Sequence, residues 1–211
     1  MCEWARKGII DFELDIVLCP KNGTKEDDGN FQDATVNAFN ADLLAIDRRE
    51  IRGIGGPGKF MPGDRVINTV NNASEHVWNG TTGTVHAADD DGGVWVELDV
   101  PFKDEFTGEV KDKVLFDREM AKNLRYAYAL TVHKSQGSQY RKVVMAILAR
   151  DKFQLDRSLI YTGVTRTKTE CVIIGDYAAF AAGIATTRQK DSVLQCIALE
   201  DKQQQGEENE M

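Results

Sequence analysis

The 211 residues predict an α/β domain interrupted by a small all-β insertion, and three observations carry that prediction. Apolar segments of strand length alternate with segments of helical spacing toward both ends of the chain. A central run from about residue 60 to 117 is instead cut into short β segments by turn-forming pairs. The basic residues, outnumbered by acids elsewhere, outnumber them in one window of the second α/β part.

In order along the chain, residues 12–19 (FELDIVLC) alternate and then run apolar up to Pro20, the pattern of a strand. Residues 20–30 read as a loop. Residues 31–46 place Val36, Phe39, Leu43 and Ile46 at helical spacing, with Asn30 or Asp33 as candidate N-caps. A Gly-rich joint follows at residues 52–58. The central module then strings together RVINTV, HVW, TGTVHA, VWVELDV and KVLF. Between them lie Pro62-Gly63-Asp64, Asn79-Gly80, Asp91-Gly92-Gly93 and Thr107-Gly108. Strands are expected at 126–132, 142–148 and 170–175, with helices within 156–168 and at 177–187. One more helix (VLQCIALE) and a disordered polar end are expected after residue 188.

Hydrophobic content of 42% and charged content of 28% are those of an ordinary globular protein. No apolar run is long enough for a membrane-spanning helix, and the acids in MCEWARKGIIDFELD argue against a signal peptide, so a cytoplasmic setting is expected. The four cysteines are scattered, without CxxC spacing or a His/Cys cluster, so free thiols are expected and a metal site is not. The net charge of −8 is unevenly distributed. Residues 121–169 carry 10 Lys/Arg against 2 Asp/Glu, whereas residues 1–120 carry 13 against 24. A basic island on an acidic chain is the footprint of a localised polyanion site.

Two motifs lie inside that island. In the first, AYALTVHKSQGSQY, a strand delivers Thr131 to its C-terminal end, where open α/β sheets bind ligands, and His133, Lys134 and Ser135 follow on the emerging loop. Hydroxyls, fixed positive charge and backbone N–H groups near a glycine are what phosphate oxygens require. The second, LIYTGVTRTK, sets Arg166 behind a short helix. A guanidinium that never deprotonates and offers a planar donor fork suits a transferring phosphoryl group, the plainer reading being an ion pair with Glu170. Gly53 to Lys59 spells the start of a Walker A loop, but Phe60 stands where Ser or Thr must hold magnesium. Pro62-Gly63 follows where a helix should begin, so the stretch reads as a joint. Trp78 and Trp95 read as core of the β module, with base contacts by these two, His76, His86 and Lys103 as the alternative. Asp89-Asp90-Asp91 reads as a solvated turn, and residues 143–148 as core.

Together the two motifs resemble motifs V and VI of superfamily 1 helicases, closest to the RecD-like branch with its UvrD-like C-terminal domain. The resemblance implies a RecA-like parallel-sheet motor domain, with residues 1–57 as its first part and 118–187 as its second. An SH3-like barrel would occupy residues 58–117 and an acidic tail residues 188–211. It implies that Thr131, His133, Lys134 and Ser135 contact single-stranded DNA, while Gly137, Ser138 and Gln139 lie toward a nucleotide. Gln139 stands where many relatives carry an acid. Arg166, positioned by Thr165 and Tyr161, would be the arginine finger on ATP. ATP and Mg2+ would be held with a first motor domain whose Walker A and B loops this sequence lacks, either carried by a separate chain or missing from a split or truncated gene product. The alternative is a non-enzymatic single-stranded nucleic-acid-binding module on the same fold.

Overall fold

The computed structural model of the protein describes residues 2–23, 35–52, 59–103 and 108–187. The candidate N-caps Asn30 and Asp33, the glycines of the 53–58 joint and everything from residue 188 onward lie outside them.

Four parallel strands form one sheet: β1 (Ile16–Cys19), β7 (Ala129–Thr131), β8 (Tyr140–Ile147) and β9 (Thr167–Gly175), in the order β7-β1-β8-β9. The central strands are apolar on both faces because helices cover both. Leu18, Leu130, Val143, Met145 and Ile147 meet Leu159 and Ile160 of α4 (Arg157–Val164) and Ala179 of α5 (Tyr177–Ala185). Val17, Cys19, Ala129 and Ala146 meet Ala5 of α1 (Cys2–Arg6) and Leu43, Leu44 and Ile46 of α2 (Val36–Ile46) on the opposite side. Helix α4 packs closely through Gly163, where a Cβ would come within 2.8 Å of the Met145 sulfur. The α2 N-cap is Thr35, whose hydroxyl accepts from the Ala38 N–H, and a π-helical turn (Asp47–Ile51) extends the helix.

The inserted segment is antiparallel. Strands β2 (Arg65–Asn68), β3 (Thr82–Ala88), β4 (Val94–Lys103), β5 (Val110–Phe116) and β6 (Leu124–Tyr126) order as β5-β4-β3-β2-β6, with α3 (Arg118–Ala121) between β5 and β6. Val66, Val85, Val96, Val114 and Phe116 form its own core. Gly80 and Gly92 take φ of +99° and +96°, backbone that residues with a Cβ seldom adopt. At the second of these turns Asp89 accepts from the Gly93 N–H, and Asp90 and Asp91 lie exposed in the hairpin turn. HVW supplies only a bridge between Asn72 and Val77.

Two expectations are corrected. Residues 126–132 are not one strand: β6 ends at Tyr126 in the antiparallel sheet, and β7 begins at Ala129 in the parallel one. Hydrophobic pattern cannot distinguish one strand from two that belong to different sheets. Trp78 and Trp95 are 52% and 43% exposed, so neither is core; the small module closes its interior with valines and Phe116.

Where the chain leaves and re-enters the parallel layer, buried polar groups tie the crossings together. Arg48 and Asp64 are both fully buried and paired. Arg48 also donates to Lys59 O (2.9 Å) and the Tyr126 hydroxyl (3.2 Å). Arg52 donates to Asp64 (2.6 Å), and the Tyr128 hydroxyl donates to Asp47 (2.6 Å).

Candidate nucleic-acid and nucleotide interface

The strand register fixes the reach of the first motif. Thr131 is level with Cys19, and Leu18 is level with Met145, which puts Thr131 about six residues along β8 from Tyr140. At about 3.3 Å per residue, residues 131–140 therefore cross some 20 Å, from the C-terminal edge of the sheet to its N-terminal edge. Thr131 to Lys134 lie at one edge and Ser138 to Tyr140 at the other.

At the C-terminal edge the chain turns through a 3-10 helix (His133–Ser135). The Thr131 hydroxyl accepts from the Lys134 N–H (3.3 Å), while Ser135 is fully buried and donates to Val132 O (2.7 Å). Ser135 thus holds the turn, and Thr131, His133 and Lys134 line clefts. Thr131 and His133 border one of about 470 Å³ with Lys21, Asn22 and Gln154. Lys134 borders another of about 580 Å³ with Asn22, Asn37, Asn40, Thr69 and Arg125. Asn22 lines both, so they adjoin. Asn40 also pairs with both backbone groups of Ala129, covering the open edge of β7 (2.8 and 3.0 Å). Sequence reading missed these asparagines and Arg125, because no local pattern distinguishes them.

Part of the basic island is neutralised internally. Arg141 pairs with Asp15 (2.6 Å), Lys142 with Glu170 (3.2 Å) and Lys122 with Glu119 (2.6 Å). Among the described residues Lys134 and Arg125 make no ion pair, so two cations of the island face the 580 Å³ cleft without an acid partner.

At the N-terminal edge Gly137 takes φ +87° with open space where a Cβ would stand, and Gln139 is exposed. Arg166 is half-buried. Its Nε donates to Thr162 O (3.1 Å), Nη1 to Ser138 O (3.4 Å) and Nη2 to the Thr165 hydroxyl (3.2 Å). The backbone closes the same junction, Tyr140 N–H donating to Arg166 O (2.8 Å). The ion pair with Glu170 is not formed, since Glu170 faces Lys142. Tyr161, expected with Thr165 to position Arg166, has an exposed side chain, and its carbonyl accepts from Thr165 N–H (2.9 Å). The fold thus joins residues 137–139 to Arg166 and keeps both apart from Lys134. Among the described residues no group of three or more His, Cys, Asp or Glu is placed to hold a metal ion, and no helix is long and apolar enough to cross a membrane.

A mixed α/β domain whose parallel sheet carries a polar, cation-lined edge and an arginine-bearing junction is the class these observations define. Residues 126–174 match the family model of the UvrD-like helicase C-terminal domain. The chain is 33% identical over 135 residues to the ATP-dependent RecD2 DNA helicase of Deinococcus radiodurans, covering 64% of this chain and 17% of that one. It is 30% identical over 127 residues to the RecBCD enzyme subunit RecD of Mycolicibacterium smegmatis, covering 60% and 20%. It therefore spans about a fifth of the length of these relatives. Among solved structures, the Pif1 helicase from Bacteroides in complex with ADP-AlF3 and ssDNA aligns with 79% of this chain and 44% of its own, at 21% identity and a TM-score of 0.45. Residues 126–174 are thus similar to UvrD-like helicase C-terminal domains, and RecD helicases are among the relatives of the chain.

Proposed function

We propose that this chain is the C-terminal motor portion of an ATP-dependent DNA helicase of the RecD kind. In this reading residues 1–57 and 118–187 make one RecA-like unit, and residues 58–117 make an SH3-like insertion. Thr131, His133 and Lys134 contact the backbone of single-stranded DNA, and Ser135 holds the turn that presents them. Gly137, Ser138, Gln139 and Thr165 face a nucleotide, and Arg166 supplies the planar fork that stabilises charge on the transferring phosphoryl group. ATP and Mg2+ are held with a first motor domain carrying the Walker loops, and the bound ATP supplies the phosphoryl group whose transfer drives the motor. Gly137, open on its outer face, leaves room for a phosphate to approach the backbone. The observation that carries the reading is the crossing segment: residues 131–140 put the strand-facing cation and the arginine junction on opposite edges of one sheet, joined by a single loop. In this reading one loop connects the DNA contact to the nucleotide.

The test is binding of single-stranded DNA by fluorescence anisotropy across a salt series. Affinity falls as salt rises, and Lys134→Ala weakens binding to all sequences alike, reducing the salt slope by about one contact. Salt-independent binding, or none at low salt, overturns the reading.

A further inference from the structure

The inserted module carries the opposite charge to the basic island. Residues 58–117 hold 5 Lys/Arg against 12 Asp/Glu, a balance that repels polyanions. An apolar patch lies on the outer face of the module's sheet. Trp95 of β4 stands directly opposite Leu115 of β5, and Ala87 of β3 flanks it on the other side. Residues opposed in this way have Cβ atoms about 4.5–5.5 Å apart, so the three side chains make one continuous surface.

The core does not need this patch. Alternate residues of the same strands, Val94, Val96, Val114 and Phe116, already fill the interior, while Trp95 and Leu115 stay 43% and 39% exposed. Apolar side chains scattered singly are ordinary on a surface. A continuous patch centred on tryptophan has instead the composition of an interface anchor.

The charge at the border of the patch decides what covers it. The turn of residues 89–93 leads into β4 just before Trp95, and Asp117 follows Leu115 by two residues. Val94 is level with Phe116, so both lie at one end of the sheet. Glu97 is paired with Lys113 (3.6 Å) and Glu119 with Lys122 (2.6 Å). Asp89 and Asp117 accept backbone N–H groups, which orients the two carboxylates and leaves their charge. Asp90 and Asp91 are exposed and, among the described residues, make no ion pair. Against these four carboxylates stands Arg118, whose Cγ lies 3.5 Å from where a Gly92 Cβ would be. Such a border repels a nucleic-acid strand and attracts a cationic partner.

We propose that the Trp95–Leu115 face docks a basic segment of another protein. An apolar side chain of that segment lies on Trp95, and its Lys or Arg side chains reach Asp90, Asp91 and Asp117. The site is separate from the DNA and nucleotide contacts proposed above and does not depend on them.

Trp4→Phe/Trp78→Phe leaves Trp95 as the sole tryptophan of the full chain. Its emission is followed as an acetylated octapeptide of alternating Lys and Leu is added, with anisotropy of the labelled peptide in parallel. The expected result is a saturable blue shift of Trp95 that weakens as salt rises. In the anisotropy assay Trp95→Ala weakens binding about thirtyfold or more, the scale of losing an aromatic anchor, while Trp95→Phe keeps most of the affinity. Asp90→Asn/Asp91→Asn weakens it several-fold at low salt. A Lys–Ser peptide, without the anchor, and a Glu–Leu peptide, with the wrong charge, bind far more weakly. Trp95→Ala leaves single-stranded DNA affinity unchanged. No binding of the Lys–Leu peptide, or equal binding by the parent and Trp95→Ala, refutes the proposal. So does a response of Trp95 to oligothymidylate, which would make the face a nucleic-acid surface. A response to protein concentration alone refutes it as well, by making the face a contact between copies of this chain. These outcomes leave the Lys134 test untouched, and failure of that test leaves this face standing.

Discussion

Asp64→Ala tests whether the polar cluster at the crossings anchors the β module. The Asp64 carboxylate accepts from Arg48 Nε (3.1 Å) and Nη2, Arg52 Nη2 (2.6 Å) and the Met61 N–H (2.8 Å). Its removal takes the paired carboxylate away from a guanidinium with no solvent exposure. Breaking one side of a buried ion pair costs about 3–5 kcal/mol. Arg48 retains Lys59 O and the Tyr126 hydroxyl, and Arg52 retains Asp47, so the low end, about 3 kcal/mol, is expected. With a urea m-value of about 2–3 kcal/mol/M, the midpoint falls by about 1–1.5 M. Far-UV circular dichroism in urea reads this directly. Arg48→Met/Asp64→Leu removes both charges and should recover most of the loss, since apolar replacements of buried pairs are often neutral. Glu119→Ala, which breaks an exposed pair with Lys122, should leave the midpoint nearly unchanged. A loss under about 1 kcal/mol for Asp64→Ala, or a double variant no better than the single one, refutes the reasoning.

Alone, the 211 residues should show no DNA-stimulated ATPase activity; turnover lost on Lys59→Ala would reinstate the Gly-rich joint as a phosphate loop. Reconstituted with a complementary motor domain, Arg166→Ala should lower kcat about 10³-fold or more and leave DNA affinity unchanged, with Arg166→Lys a poor rescue. Unfolding of Arg166→Ala would instead make its bonds to Thr162, Ser138 and Thr165 its whole role. Burial pushes the Cys19 thiol up to about 12, and burial followed by the bond to Asp47 raises Tyr128. These groups hold their protons more tightly when folded than when unfolded. Their contribution is therefore full at neutral pH and is lost as pH rises past about 8.5 for Cys and 10 for Tyr. Urea midpoints from pH 7 to 11 should decline accordingly, and alkylation at pH 8 followed by peptide mapping should mark Cys2 well before Cys19. Gly175→Ala, at φ +116° with a Cβ 1.8 Å from Ile147 O, should destabilise far more than Gly137→Ala, whose Cβ meets nothing; thermal melts compare them.

By itself the sequence determined what short-range chemistry decides. The apolar runs of β8 and β9, the spacing in α2 and α4, and the turns at Asn79-Gly80 and Asp91-Gly92 follow from local geometry and burial. The basic island and both motifs were legible for the same reason: their chemistry lies in consecutive residues. Tertiary structure alone decided the rest. It split residues 126–132 between two sheets, because the crossing at Ala127-Tyr128 is set by which strands stand ready on either side. It exposed Trp78 and Trp95, since a small module fills its interior with whatever side chains point inward. It turned Ser135 inward, neutralised Arg141 and Lys142 with acids remote in sequence or on a neighbouring strand, and left Lys134 and Arg125 facing one cleft. It also assembled Arg48, Asp64, Tyr126 and Tyr128, four residues from three segments, into one buried cluster. The charges that remain available to a ligand are those left after the fold has paired the others, and pairing depends on distances that no stretch of sequence contains.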